Sequence, residues 1–116
     1  MPNYMFLLYG SREDAPNLSP DELHGVIRKY SDWRESLKRD GIYLASDKLK
    51  DDAGRVLRPG PNGPRLLDGP YSETKEVLGG YFAVRAASYE RACELARTCP
   101  HLEFGGTIEV REIDQV

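Results

Sequence analysis

The chain has 116 residues, 40% apolar and 30% charged, with a formal net charge of −3. That length fits one domain spanning residues 1–116, large enough for a core but small enough to gain from a partner surface. The mixed charges, slightly acidic overall, speak against a nucleic-acid or anionic-membrane partner, and no apolar run of about 18 residues exists to span a bilayer.

Tyr4-Met-Phe-Leu-Leu-Tyr9 is a continuous apolar run ended by Gly10-Ser11. Such a run predicts a strand covered on both faces. Ser11 to Asn17 reads as a polar loop. Ser19-Pro20-Asp21-Glu22 then combines a cap residue, Pro at the first helical position and a Glu three after the Ser, which together start a helix. Leu23, Val26, Ile27, Tyr30, Trp33 and Leu37 fall on one stripe of that helix, which ends at Arg39-Asp40-Gly41.

Ile42 to Leu49 is a second strand and Lys50 to Gly54 a turn. Arg55–Arg58 and Arg65–Leu67 flank Pro59-Gly-Pro-Asn-Gly-Pro64, a hairpin pattern. Gly80 to Arg85 forms a further strand. Ser88 caps a second helix running to about Cys99, with Tyr89, Ala92, Cys93, Ala96 and Cys99 on its inner face and Pro100 as its stop. Thr107 to Ile113 alternates as the last strand. Cys93 and Cys99, six apart on a helix, lie about 9 Å apart along the axis, so they are read as free thiols. Free thiols, and an N-terminus without the features of a signal peptide, fit the cytoplasm.

This order predicts an α+β, ferredoxin-like βαββαβ fold: a four-stranded antiparallel sheet, two helices on one face, and an inserted hairpin between the halves. The first strand lies inside the sheet and is apolar on both sides, so the helix-free face also needs cover. A homodimer through that face supplies it. The alternative is that the hairpin folds over the face within one chain.

Asp68-Gly-Pro-Tyr-Ser-Glu-Thr-Lys-Glu-Val-Leu-Gly-Gly80 resembles the DGPF signature of YCII-related proteins, with Tyr71 in place of Phe. The resemblance extends over Tyr4–Gly10, Leu18–Glu22 and Cys99–Ile113, and covers nearly all of residues 4–113. It implies a dimeric α+β barrel built from ferredoxin-like units. It implies no single activity. Some relatives are linked to sigma factors of the extracytoplasmic-function type, and others resemble lactone dehydrochlorinases and small isomerases. The broader group is read as using a first-helix His with an Asp. Spaced back from Gly41-Ile-Tyr-Leu44, that position falls near Tyr30, and His24 lies about 60° beyond Ile27, off the apolar stripe.

Asp68 is the candidate acid/base, and its other reading is a turn residue whose carboxylate accepts backbone N–H groups. Lys75 could hold an anionic group or, with Glu73 and Glu76, form a solvated cluster. Gly79-Gly80 allows close approach by a strand or a ligand. Arg34, inside the apolar stripe, either snorkels to the sheet edge or pairs with Asp68 or a substrate carboxylate. Tyr30 and His101 complete the substrate-binding candidates, although both also have bland readings, as core and loop residues. No metal-ligand set, phosphate loop or nucleophile elbow is present, and no cofactor is implied. The resulting expectation is a cofactor-independent pocket for elimination, isomerisation or cyclisation of a small anionic molecule. The alternative is an accessory domain acting with a sigma factor.

Overall fold

A computed structural model describes residues 1–11, 18–69 and 76–116. The loop expected between Ser11 and the first helix, and residues 70–75 of the signature, lie outside these residues. Among the described residues nine elements follow one another: β1 (Asn3–Ser11), α1 (Pro20–Arg39), β2 (Tyr43–Lys48), β3 (Arg55–Arg58), β4 (Arg65–Asp68), β5 (Glu76–Arg85), α2 (Tyr89–Arg97), α3 (Pro100–Glu103) and β6 (Thr107–Ile113). The main sheet has the order β2-β5-β1-β6, and every pairing is antiparallel. This is the ferredoxin-like arrangement anticipated from the element order. β3 and β4 form a separate two-stranded sheet.

Capping sets α1 as the sequence requires. Glu22 N–H donates to Ser19 Oγ at 3.1 Å, and Ser19 N–H donates back to Glu22 Oε1 at 3.2 Å. Asp21 and Glu22 in the first turn, and Lys38 and Arg39 in the last, complement the helix dipole. Ser88 caps α2 through the Arg91 amide at 3.1 Å.

The core lies between the sheet and both helices. Tyr4, Phe6 and Leu8 of β1 and Phe82 and Val84 of β5 meet Trp33 and Leu37 of α1 and Ala92, Leu95 and Ala96 of α2. Trp33 stacks edge-on against Phe82 at 4.8 Å, and its indole N–H donates to Thr98 Oγ1 at 2.8 Å. That bond satisfies the polar edge of a buried ring, a requirement for placing Trp in a core.

Directly opposed residues of an antiparallel pair share a face. Phe6 opposes Phe82 and Val110 on the helix side, while Leu7 opposes Tyr81 and Glu109 on the other. The helix-free face therefore carries Met5, Leu7 and Tyr9 of β1, Tyr81 and Ala83 of β5, and Ala45 of β2. Glu109 and Asp47 lie beside this apolar strip and accept hydrogen bonds from Tyr9 Oη at 3.4 Å and Tyr81 Oη at 2.9 Å.

Three expectations change. α1 has the predicted apolar stripe, but only Trp33 and Leu37 are buried, and Leu23 and Ile27 remain exposed. The core cluster meets α1 at Trp33 and Leu37, with Tyr30 partly buried against it, so the earlier turns carry the stripe beyond the core. β5 begins at Glu76 rather than Gly80, with a register shift opposite Leu8/Tyr9. The Gly80 backbone serves strand packing, because a Cβ there would sit 2.8 Å from the Asp47 carbonyl oxygen of β2. Finally, Pro100 opens α3 at its first helical position with Cys99 as N-cap, and α2 ends earlier, at Arg97.

Candidate functional site

One end of the sheet gathers the chemistry-bearing residues. β1 finishes there at Ser11, paired with Glu76 at the start of β5, and β6 begins there at Thr107. Thr107 Oγ1 donates to Glu76 Oε1 at 2.8 Å across this end. The three-residue link from α3 to β6 brings His101 beside the end of β1.

His101 is held at both ring nitrogens. Nε2 lies 2.7 Å from the backbone carbonyl oxygen of Tyr9, and Nδ1 lies 2.9 Å from the Tyr30 hydroxyl. A carbonyl oxygen only accepts, so Nε2 carries the proton. In the neutral imidazole Nδ1 is then the acceptor, and the Tyr30 O–H donates to it. The tautomer follows from the partners. Gly106 makes the position possible: a Cβ on it would lie 2.1 Å from His101 Nε2. The imidazole occupies the space that any larger residue would fill.

Tyr30 reaches this point from mid-α1. Burial pushes its hydroxyl up to about 12, with a smaller contribution from the nearby Cys99 thiol, so the phenol remains protonated across the physiological range. Phe104 packs 6.1 Å from the Tyr30 ring, and Lys29 closes the outer side through an ion pair with Glu103. Cys99, buried and free, is itself pushed up to about 11 by burial, which makes it an inert thiol.

Arg34 follows Tyr30 by one helical turn and so lies on the same side of α1. Its Nε is enclosed yet makes no hydrogen bond among the described residues, and the carboxylate beside it is Glu35 at 3.9 Å. Arg34 therefore has an enclosed inner donor without a hydrogen bond among the described residues, one helical turn from Tyr30. Asp68, the last residue of β4, pairs across the hairpin with Arg55, whose Nε lies 3.8 Å from its carboxylate. The Asp68 side chain is 96% exposed. The described ion pairs thus join Arg34 to Glu35 and Asp68 to Arg55, and not to each other. Lys75 and Glu73 lie outside the described residues.

Within one chain, then, Tyr30 and His101 come together, Arg34 lies one helical turn from Tyr30, and Asp68 pairs with Arg55 on the hairpin. Sequence reading named Tyr30 and His101 separately. It missed their partnership, which spans 71 positions. The Gly105-Gly106 pair just after His101 was the available signal of a close approach. Chemically, the cluster is a phenol–imidazole–carbonyl chain able to move a proton, with a guanidinium one turn away able to hold an anion. Among the described residues no group of three or more His, Cys, Asp or Glu is placed to hold a metal ion. No helix of the described residues is long and apolar enough to cross a membrane.

Comparison with known proteins agrees with the signature. An uncharacterised protein of Rhizobium meliloti is 27% identical over 112 residues, an alignment covering 95% of this chain and 90% of the relative. The YCII-related domain matches residues 3–116. With all but the first two residues inside that match, the chain belongs to the YCII-related domain family.

Proposed function

We propose that the protein is a homodimer, joined through the helix-free sheet face, that binds a small anionic molecule at the sheet end and performs cofactor-independent proton transfer on it. The observation carrying this reading is His101, fixed between the Tyr30 hydroxyl and the Tyr9 carbonyl. The phenol aimed at its one acceptor nitrogen fixes the tautomer and gives a proton a path between the two side chains.

Elimination, isomerisation and cyclisation each require a proton to leave one atom and arrive at another. Asp68 is the acid/base, and the Tyr30–His101 pair is the second proton-handling group. A proton reaching Tyr30 Oη is matched by passage of the phenol's own proton to His101 Nδ1. The product is an imidazolium donating to both Tyr30 and Tyr9. Tyr30 is a neutral phenol before and after the step, as its raised ionisation point demands. Arg34 holds the anionic group with its guanidinium, and Lys75 of the signature adds a second positive charge. Exposed Leu23 and Ile27 on the same helix offer an apolar wall for the rest of the ligand.

The dimer is supported by the apolar strip of Met5, Leu7, Ala45 and Ala83 on the face opposite the helices. The β3–β4 hairpin packs chiefly on itself, and its Leu57 and Leu66 point into solvent. The test is a thermal-shift screen of the wild-type protein against small hydroxy- and keto-carboxylates and lactones. The screen is then repeated with Asp68→Asn, His101→Gln, Tyr30→Phe and Arg34→Gln. A stabilising compound lost in all four variants supports the reading. A screen in which nothing binds would move the weight to a non-catalytic role beside a sigma factor.

A further inference from the structure

Glycine inside a strand is unfavourable, because it packs nothing and loses more freedom on folding than any other residue. Of the 11 glycines, Gly41, Gly54, Gly63, Gly69 and Gly105 take a positive φ that glycine adopts without strain. Gly60, Gly80 and Gly106 are crowded, since a Cβ at each would come within 2.8 Å of another atom. Gly79 is the extra residue at the register shift of β5, and Gly25 is exposed on α1. Gly10 fits none of these cases. It is half-buried in β1 opposite Val77, its φ is not positive, and a Cβ on it would meet nothing within 4 Å among the described residues. A strand glycine with neither backbone strain nor a close neighbour is suited to the approach of a ligand.

The surroundings of Gly10 say which ligand. Tyr4, Phe6 and Leu8 are the buried, helix-side positions of β1, and Gly10 is next in that alternation. His101 Nε2 lies 2.7 Å from the carbonyl oxygen of the peptide that joins Tyr9 to Gly10. Planar peptide geometry then places the Gly10 Cα within about 5.5 Å of Nε2. The ring itself sits against Gly106 and not over Gly10. The open space at residue 10 therefore adjoins the proton-handling pair.

The helix above continues the same opening. Trp33 packs on Phe6, and Tyr30 reaches through His101 to Tyr9, so α1 moves outward toward its N-terminus as β1 runs outward to Ser11. Ile27 and Leu23, one and two turns beyond Tyr30 on the stripe, are exposed. Arg34 lies one turn to the inner side, and helical side chains lean toward the N-terminus, which tilts its guanidinium toward Tyr30. The order along the site is thus cation, phenol–imidazole pair, then apolar side chains and a bare stretch of strand.

We propose that Gly10 is the specificity-determining position of the site: its missing side chain admits the carbon chain of a short-chain carboxylate beside His101, while Arg34 holds the carboxylate. The inference rests on the proposed proton-transfer site and deepens it, by naming the substrate class and the residue that limits its size. A side chain at position 10 takes the space of the ligand's chain and leaves the protein's own contacts untouched.

The test uses Gly10→Ala and Gly10→Val, with Gly25→Ala as control, and pyruvate, α-ketobutyrate and α-ketovalerate as probes. Calorimetry gives the dissociation constants, thermal unfolding gives stability, and nitrogen-15 spectra report the His101 ring. Both Gly10 variants should unfold at or above the wild-type temperature, since residues with side chains are better strand formers, and should keep the wild-type His101 resonances. Gly10→Val should weaken probe binding about tenfold or more, as overpacking does, with α-ketovalerate losing more than pyruvate in Gly10→Ala and no change in Gly25→Ala. A Gly10→Val protein that binds the probes like wild type, with binding lost in His101→Gln, would overturn the inference and leave the site standing. A Gly10→Val protein that is clearly less stable, or whose His101 resonances move, would overturn it by showing that the glycine serves the fold. A wild type that binds none of the three probes would overturn the carboxylate class and the inference with it, while the wider screen decides the site itself.

Discussion

Replacing Gly106 by Ala probes the site more sharply than replacing any residue that makes a bond in it. The added methyl would lie 2.1 Å from Nε2, 2.4 Å from Cε1 and 2.5 Å from Cδ2 of His101. No heavy atoms tolerate such separations, so the imidazole has to swing away. Two hydrogen bonds go with it, to the Tyr9 carbonyl and the Tyr30 hydroxyl. Each contributes about 0.5–1.5 kcal/mol net, and forcing a methyl into a filled space costs about 1–3 kcal/mol. A loss of about 2–6 kcal/mol on urea unfolding is expected, with the denaturant slope unchanged. The cause is separable from ordinary backbone effects by a cycle with His101→Ala. Once the imidazole is gone the methyl has room, so the double variant should be no less stable than His101→Ala alone. Additive losses in that cycle, or a Gly106→Ala protein as stable as wild type, would refute the close packing of His101 on Gly106.

Two further outcomes follow from the same geometry. Asp68→Asn should change stability by less than about 1 kcal/mol, because the Arg55–Asp68 pair is solvent-exposed on both sides; a loss of several kcal/mol in urea unfolding would restore the turn role for Asp68. Tyr30 should ionise near pH 12, read as the phenolate absorbance missing from Tyr30→Phe in a spectroscopic titration. Its folded value is raised above the unfolded one, so stability from this group is whole below about pH 10 and falls as pH rises toward about 12. A Tyr30→Phe protein whose alkaline unfolding profile matches wild type would contradict that burial.

The fold was legible because its signals are local. The apolar run Tyr4–Tyr9, the Ser19–Glu22 capping box and the alternation of Thr107–Ile113 each fix an element without reference to the rest of the chain. Pro100 was misread because the same ring that ends one helix is well suited to begin the next, and only the path of the chain after Arg97 decides between them. The α1 stripe was correct in phase and only partly buried, since periodicity gives the direction a side chain faces and not how far the core beneath it extends. The site was legible in its parts only. Nothing local links Tyr30 to His101, whose meeting depends on the antiparallel placement of α1 and the turn at Gly105-Gly106. The emphasis on Asp68 came from the signature, and a single chain leaves that carboxylate in water.

The central claim is that a small anion is held beside the Tyr30–His101 pair. Nitrogen-15 spectra of the His101 ring and of the Arg34 Nε–H, recorded during titration with the compounds that stabilise the protein, test it most directly. The account predicts a free protein with His101 protonated on Nε2 and, on ligand addition, saturable shifts at both side chains. A ligand that binds with both sets of resonances unmoved would contradict it.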